Sequence, residues 1–292
     1  MARIYRFSSR TPLSRPVAAC QSERARHDRH VQAWCDEAWN VTVKGAEMER
    51  RNFLRHTGTG AAVLTVGAAA VGLTPQVAAA TGEMRSGRPL RVDIVLFDGA
   101  EDLDFTAPFE TFSQAGSVSP GAVDVRYVTL DGPGLVRTQY GSRIQVDHAW
   151  SPAGRDVILV PGGGFVHRDG PGVWSEIDRG VLPRALAAAV RNGLTIASVC
   201  TGAMILSAAG LTRGRPCTTH HLAQADLRAQ GGLVKTARVV DDGDLVTAGG
   251  VSSGLDLGLW LVRRELGAET AVAIESMLEY EARGTVWTPT TP

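Results

Sequence analysis

Three features of the sequence predict an α/β fold with a mostly parallel sheet covered by helices on both faces. Short apolar, β-branched runs alternate with helical patterns from Leu90 onward, the order that right-handed parallel crossovers require. Glycine-rich turns punctuate these runs, most clearly Pro161-Gly162-Gly163-Gly164. The four cysteines, Cys20, Cys35, Cys200 and Cys217, show neither zinc-ligand spacing nor a dense disulfide framework, so packing must supply the stability. With 30 basic and 30 acidic residues the formal charge is zero, and no nucleic-acid partner is expected.

The elements follow in order. Leu90–Phe97 reads as a buried strand ended by Asp98-Gly99. A helix is expected over Phe105–Gly116, with Asp104 or Thr106 near its N-cap and Pro108 in its first turn. Val123–Leu130 is a second strand, and Leu135–Val146 a hairpin turning at Tyr140-Gly141. Val157–Val160 runs into the glycine loop, and Ile177–Arg191 reads as one helix with Gly193 closing it. Leu194–Val199 is a buried strand, Thr201–Ala209 a helix and Pro216–Thr219 a short strand. A helix over His220–Gln230 comes next, then a hairpin of Val234–Val240 and Leu245–Ala248 around Asp242-Gly243. Ser252–Leu266 and Glu269–Tyr280 are closing helices, and residues 283–292 are expected to be a disordered tail.

The N-terminal part reads as an address. Arg50-Arg51-Asn52-Phe53-Leu54-Arg55 resembles a twin-arginine (Tat) export signal. The Gly- and Ala-rich stretch Ala61–Leu73 is too short for a stable membrane span. Pro75 and Ala78-Ala79-Ala80 complete a signal over residues 48–80 with cleavage after Ala80, the alternative being an uncleaved amphipathic helix that anchors the protein to a membrane. Residues 1–47 then read as an upstream extension with Met48 as the true start, leaving Cys20 and Cys35 without a role. The expectation is Tat export to the periplasm or the outside, with residues 81–89 as a linker and 90–282 as the catalytic domain.

The chemistry centres on Ser198-Val199-Cys200-Thr201-Gly202, which joins a buried strand to a helix. A nucleophile at such an elbow projects into the cleft at the carboxyl edge of the sheet. The helix N-terminus is expected to lower the Cys200 pKa and populate thiolate; the alternative is a small buried hydrophobe. The N–H groups of Gly163 and Gly164 are expected on the same edge, forming an oxyanion hole with Thr201 N–H, with Gly202 permitting the tight turn. Asp104 also falls at this edge and can shuttle protons, or merely cap its helix. His220 and His221 can approach the cleft or cap the following helix. Cys217 reads as a buried strand residue; a bridge to Cys200 would silence the site.

These segments together resemble the PfpI-like superfamily, relatives of the class I glutamine amidotransferases, and within it the isonitrile hydratases. The resemblance covers nearly all of Leu90–Tyr280. It is carried by Leu103-Asp104-Phe105-Thr106-Ala107-Pro108, Val160-Pro161-Gly162-Gly163, Ser198–Gly202, Thr218-Thr219-His220, Arg238–Gly243, Thr247–Gly250 and Gly254-Leu255-Asp256. It implies a flavodoxin-like α/β/α sandwich, a homodimer and no cofactor. It also implies Cys200 as nucleophile, Asp104 as acid/base carboxylate and Thr201 as the assisting residue after the nucleophile. PfpI-type peptidases carry histidine where this chain has Thr201, which argues against peptidase activity. Related regulators add an AraC-type helix-turn-helix region, and none is expected before Pro292. The expected reaction is hydration of an isonitrile to an N-substituted formamide; Phe105, Phe165 and Trp174 read first as core or rim residues, with reception of the substituent as the alternative. The alternatives are glyoxalase or deglycase chemistry on reactive carbonyls, or a redox or ligand-binding module acting through Cys200 oxidation.

Overall fold

The computed structural model describes residues 88–289. The expected upstream segment, export signal and most of the linker lie outside the described residues. One seven-stranded sheet has the order β10-β11-β7-β6-β1-β2-β5. Its strands are β1 (Leu90–Val95), β2 (Val123–Thr129), β5 (His148–Ala149), β6 (Val157–Val160), β7 (Thr195–Ser198), β10 (Val239–Asp241) and β11 (Leu245–Ala248). Every pairing is parallel except β10 with β11. Strands β6, β7 and β11 are buried along their whole length, as expected of strands covered on both faces. Asp93 interrupts the apolar run of β1 with no exposed surface, and its charge is met by Arg126 at 2.8 Å.

The helices form two groups. Helices α1 (Asp102–Val118), α6 (Ser253–Leu266) and α7 (Ala268–Leu278) pack together, as do α2 (Val173–Arg179), α3 (Val181–Ala189) and α4 (Gly202–Ala208). A short α5 (Gln224–Ala229) touches α4. This is the expected sandwich with a mostly parallel sheet. The α1–α6 contact depends on small residues: a side-chain carbon on Gly258 would lie 2.8 Å from Thr111 Cβ, inside van der Waals contact.

Several boundaries differ from the sequence reading. Helix α1 begins earlier, because Glu101 rather than Asp104 or Thr106 caps it, its Oε2 accepting Asp104 N–H at 2.9 Å. Pro108 therefore sits beyond the first turn. The helix expected over Ile177–Arg191 is two, broken at Gly180, whose φ of +66° reverses the chain. His220–Gln230 opens with a 3₁₀ turn at His221–Ala223. Strands β8 (Pro216–Cys217) and β9 (Leu233–Val234) pair with one another in parallel, so only β10 forms the hairpin with β11. Strands β3 (Gly134–Arg137) and β4 (Arg143–Val146) form the expected hairpin. One residue of the tail expected to be disordered, Trp287, bridges to the sheet. Trp287 donates its N–H to Val239 O and accepts Asp241 N–H, both at 2.9 Å, along the outer edge of β10.

Candidate active site

The elbow forms as the sequence reading anticipated. Cys200 has φ +55°; Glu279 is the only other non-glycine at positive φ among the described residues. That conformation is unfavourable for a side chain bearing Cβ, so neighbouring elements must hold it. Cys200 N–H donates to Gly249 O at 2.7 Å, and its carbonyl accepts the Thr219 hydroxyl at 2.8 Å. Gly202 is required because a Cβ there would overlap Val160 O, so α4 starts hard against the end of β6.

Two of the expected residues, Thr201 and Asp104, converge on Gly162. A side-chain carbon on Gly162 would overlap Thr201 Oγ1 and lie 2.9 Å from Asp104 Oδ2. Gly162 N–H donates to that Asp104 oxygen at 2.8 Å, and Gly163 N–H donates to Thr201 Oγ1 at 3.1 Å. Asp104 is fully buried, and its Oδ1 has no hydrogen-bond donor. Asp104 is thus a buried side chain held by the Gly162 amide and not a helix cap. Cys200 and Thr201 are buried beside it.

The oxyanion hole needs correction. The N–H groups of Gly163, Gly164 and Gly202 are all engaged, by Thr201 Oγ1, Gln139 Oε1 and Val199 O. The N–H groups facing the Cys200 sulfur are those of Thr201 and Val251. Val251 carries no side-chain signal for this task, which only the packing of the β11–α6 turn reveals. His220 serves mainly as a support. Its Nδ1 accepts Leu222 N–H at 3.3 Å, and its ring lies against Gly250, where an added carbon would sit 2.7 Å from Cδ2. Burial, then the neighbouring His221, pulls its pKa down to about 4, so the ring is neutral at pH 7.

Electrostatics reverse the expected thiolate. Burial and then the Asp104 charge push the Cys200 thiol well up, and the Val251 and Thr201 N–H groups only partly oppose them. Burial, then the charge and the carboxyl contact of Glu101, raise Asp104 well above the carboxylate range, against Gly162 N–H and the Cys200 thiol. Two adjacent acids in a low-dielectric site resist ionising together. Both shifts favour the protonated forms of the pair.

The β3–β4 hairpin walls the site. Thr138 Oγ1 donates to Asp102 Oδ1 at 2.9 Å, Gln139 N–H donates to Ala100 O at 2.9 Å, and Gln139 Oε1 receives Gly164 N–H at 2.8 Å. This places the exposed Tyr140 within electrostatic reach of Asp104 and Cys200. Phe105 is fully buried against Tyr127 and belongs to the core. Phe165, in the loop after Gly164, stacks on Trp174 of α2 with ring centres 5.2 Å apart, and both are half-buried. Cys217 is free and buried in a small core with Ala203, Met204, Ala223 and Leu227, and burial pushes its thiol up to about 11. Among the described residues no His, Cys, Asp and Glu cluster is placed to hold a metal ion. None of their helices is long and apolar enough to cross a membrane.

A thiol on a strained strand-to-helix elbow, beside a buried carboxyl at the carboxyl edge of a parallel sheet, defines a class of flavodoxin-like α/β proteins. Residues 90–264 match the DJ-1/PfpI family, and the chain belongs to it. An isonitrile hydratase from Pseudomonas putida is 33% identical over 195 residues, covering 65% of this chain and 78% of that protein. A deglycase from Thermococcus kodakarensis is 28% identical over 165 residues, covering 54% of this chain and 89% of that protein. A solved ThiJ/PfpI family protein from Pseudomonas syringae shares the fold with TM-score 0.59 at 23% identity, covering 73% of this chain and 84% of that one.

Proposed function

We propose that the protein is a cysteine-dependent hydro-lyase converting an isonitrile to an N-substituted formamide. The observation that carries this is the buried Cys200 thiol beside the buried Asp104 carboxyl, which meets Thr201 at Gly162. An isonitrile carbon must receive both a proton and a nucleophile, and the site offers both from adjacent groups. Asp104 protonates that carbon while Cys200 sulfur attacks it, and the thiol proton passes to Asp104. The product is a thioimidate, R–N=CH–S–Cys200. Water then adds to the same carbon as Asp104 protonates nitrogen and accepts a water proton. Collapse forms the C=O bond, expels sulfur toward the Thr201 and Val251 N–H groups, and returns the hydroxyl proton to it through Asp104. The released product is R–NH–CHO. Thr201 fixes the Gly163 loop that seats Asp104.

The test is formation of N-formamide from cyclohexyl and aromatic isonitriles by the purified protein. Cys200→Ala should abolish it, and Asp104→Ala should lower kcat by about 10²–10⁴-fold. No product from a protein whose Cys200 still reacts with a thiol probe rejects the reading. The deglycase relative favours a second one, in which the same pair acts on reactive carbonyls through a hemithioacetal; methylglyoxal consumption in the same assay separates the two. The twin-arginine segment and Ala78-Ala79-Ala80 support Tat export with cleavage after Ala80, which N-terminal sequencing of the native protein tests. The family resemblance supports a homodimer, which light scattering tests.

A further inference from the structure

The glycine loop has no free backbone donor to offer an oxyanion. Three consecutive N–H groups go to three side chains. Gly162 N–H donates to Asp104 Oδ2 at 2.8 Å, Gly163 N–H to Thr201 Oγ1 at 3.1 Å and Gly164 N–H to Gln139 Oε1 at 2.8 Å. The first two acceptors are side chains of the site already described. The third comes from the β3–β4 turn and is held by the same short loop, whose outer two α-carbons lie no more than about 7.6 Å apart, two trans peptide units. We propose that Gln139 is a catalytic residue whose Nε2–H groups take the oxyanion role expected of Gly164 N–H, donating to the oxygen on the carbon bonded to Cys200 sulfur.

The carboxamide acts as a relay. Only its oxygen can accept the Gly164 N–H, so that bond fixes which way the amide faces. Among the described residues Nε2 has no acceptor. The side chain is half-buried, and a donor left unpaired there is served by water or by a ligand. Accepting a hydrogen bond at Oε1 polarises the amide and strengthens its N–H groups as donors. The turn itself is clamped at three successive residues. Arg137 N–H donates to Asp98 Oδ1 at 2.8 Å, Thr138 Oγ1 to Asp102 Oδ1 at 2.9 Å and Gln139 N–H to Ala100 O at 2.9 Å. These bonds tie the turn to the loop between β1 and α1 and to the first residue of α1, the helix that carries Asp104. A donor held this way needs no reorganisation as charge develops, which is the condition for oxyanion stabilisation.

In hydration the oxygen enters as water and becomes the formamide carbonyl; in carbonyl chemistry it is the hemithioacetal oxygen. Calling it a formamide oxygen rests on the hydratase reading; the donor does not. The experiment compares the whole protein with Gln139→Met and Gln139→Glu. Gln139→Met keeps the side-chain length and loses both hydrogen bonds. Gln139→Glu keeps an acceptor for Gly164 N–H and loses the donor. Both should lower kcat for cyclohexyl isonitrile at least about tenfold while KM holds. Relative to wild type, Gln139→Glu should recover as pH falls toward about 4.3, the ordinary glutamate value, because a protonated carboxyl again offers a donor. Gln139→Met should not recover. In wild type, the Gln139 side-chain N–H signals in NMR, assigned through their contact with Gly164 N–H, should shift when N-cyclohexylformamide is added. Wild-type kcat in both variants overturns the proposal. So does a Gln139→Glu that follows Gln139→Met at every pH, which leaves Gln139 a positioning residue of the loop alone. Signals unmoved by both N-cyclohexylformamide and methylglyoxal overturn it even if no variant folds. Reduced methylglyoxal consumption in the variants, with no isonitrile turnover in wild type, supports the donor and rejects the hydratase reading alone.

Discussion

At the scale of single residues, the site is built against the stability of the fold. Cys200 occupies a left-handed conformation at φ +55° that only glycine adopts freely. Cys200→Gly should therefore be more stable to urea than Cys200→Ala by about 1 kcal/mol, although both lack the thiol. Asp104 makes the same point through pH. Its folded pKa is raised above the unfolded value, so its favourable contribution is complete below the unfolded pKa and is lost as pH rises through the folded one. The isosteric Asp104→Asn should match wild type near about pH 3 and become progressively more stable toward neutrality. Each unit by which the pKa is raised corresponds to about 1.4 kcal/mol. A variant that is inactive yet no more stable at pH 7 than at pH 3 contradicts this account of the buried acid.

At the scale of elements, the site depends on how closely α1 approaches α6. Gly254 lies beside Pro108 and Ala107, and Gly258 faces Thr111. Gly258→Ala places a methyl group 2.8 Å from Thr111 Cβ, and the helices must separate or distort. It should destabilise the protein by about 1–3 kcal/mol. Because α1 carries both Glu101 and Asp104, it should also lower kcat measurably in the fraction that remains folded; full activity in a destabilised Gly258→Ala would uncouple the packing from the chemistry. The elements themselves were largely legible. Val157–Val160 and Thr195–Ser198 are fully buried strands, so composition alone marks them, and the Cys200 elbow follows from the strand–helix alternation around it. Gly180 was not legible as a break, because apolar spacing continues through it from Ile177 to Leu186. Glu101 was missed as a cap because glutamate is not among the residues that usually fill that position. The engaged glycine N–H groups and the Val251 donor depend on contacts between distant segments, such as Gln139 with Gly164. No local pattern encodes these.

At the scale of the molecule, the sheet has to bring β6, β7 and the turn after β1 to one edge, and it has to end somewhere. It ends at β10, whose inner side pairs with β11. An unpaired outer side would offer backbone N–H and C=O groups to another chain. Trp287 meets that need by pairing with Val239 and Asp241, and Lys235 Nζ lies 4.9 Å from the centre of its ring. Arg283 N–H donates to Asp256 Oδ1 at 2.6 Å, securing the approach of this segment. Trp287 thus extends the sheet by one bridge, at the end opposite β5. Removing residues 284–292 should leave the Cys200 elbow, and its reactivity toward a thiol probe at low protein concentration, nearly unchanged. It should lower the melting temperature and make the loss of soluble protein depend on concentration. Trp287→Ala, which keeps both backbone hydrogen bonds, should show a much smaller effect. Equal damage from both variants would assign the role to the indole ring, and no damage from either would show that β10 tolerates an open edge.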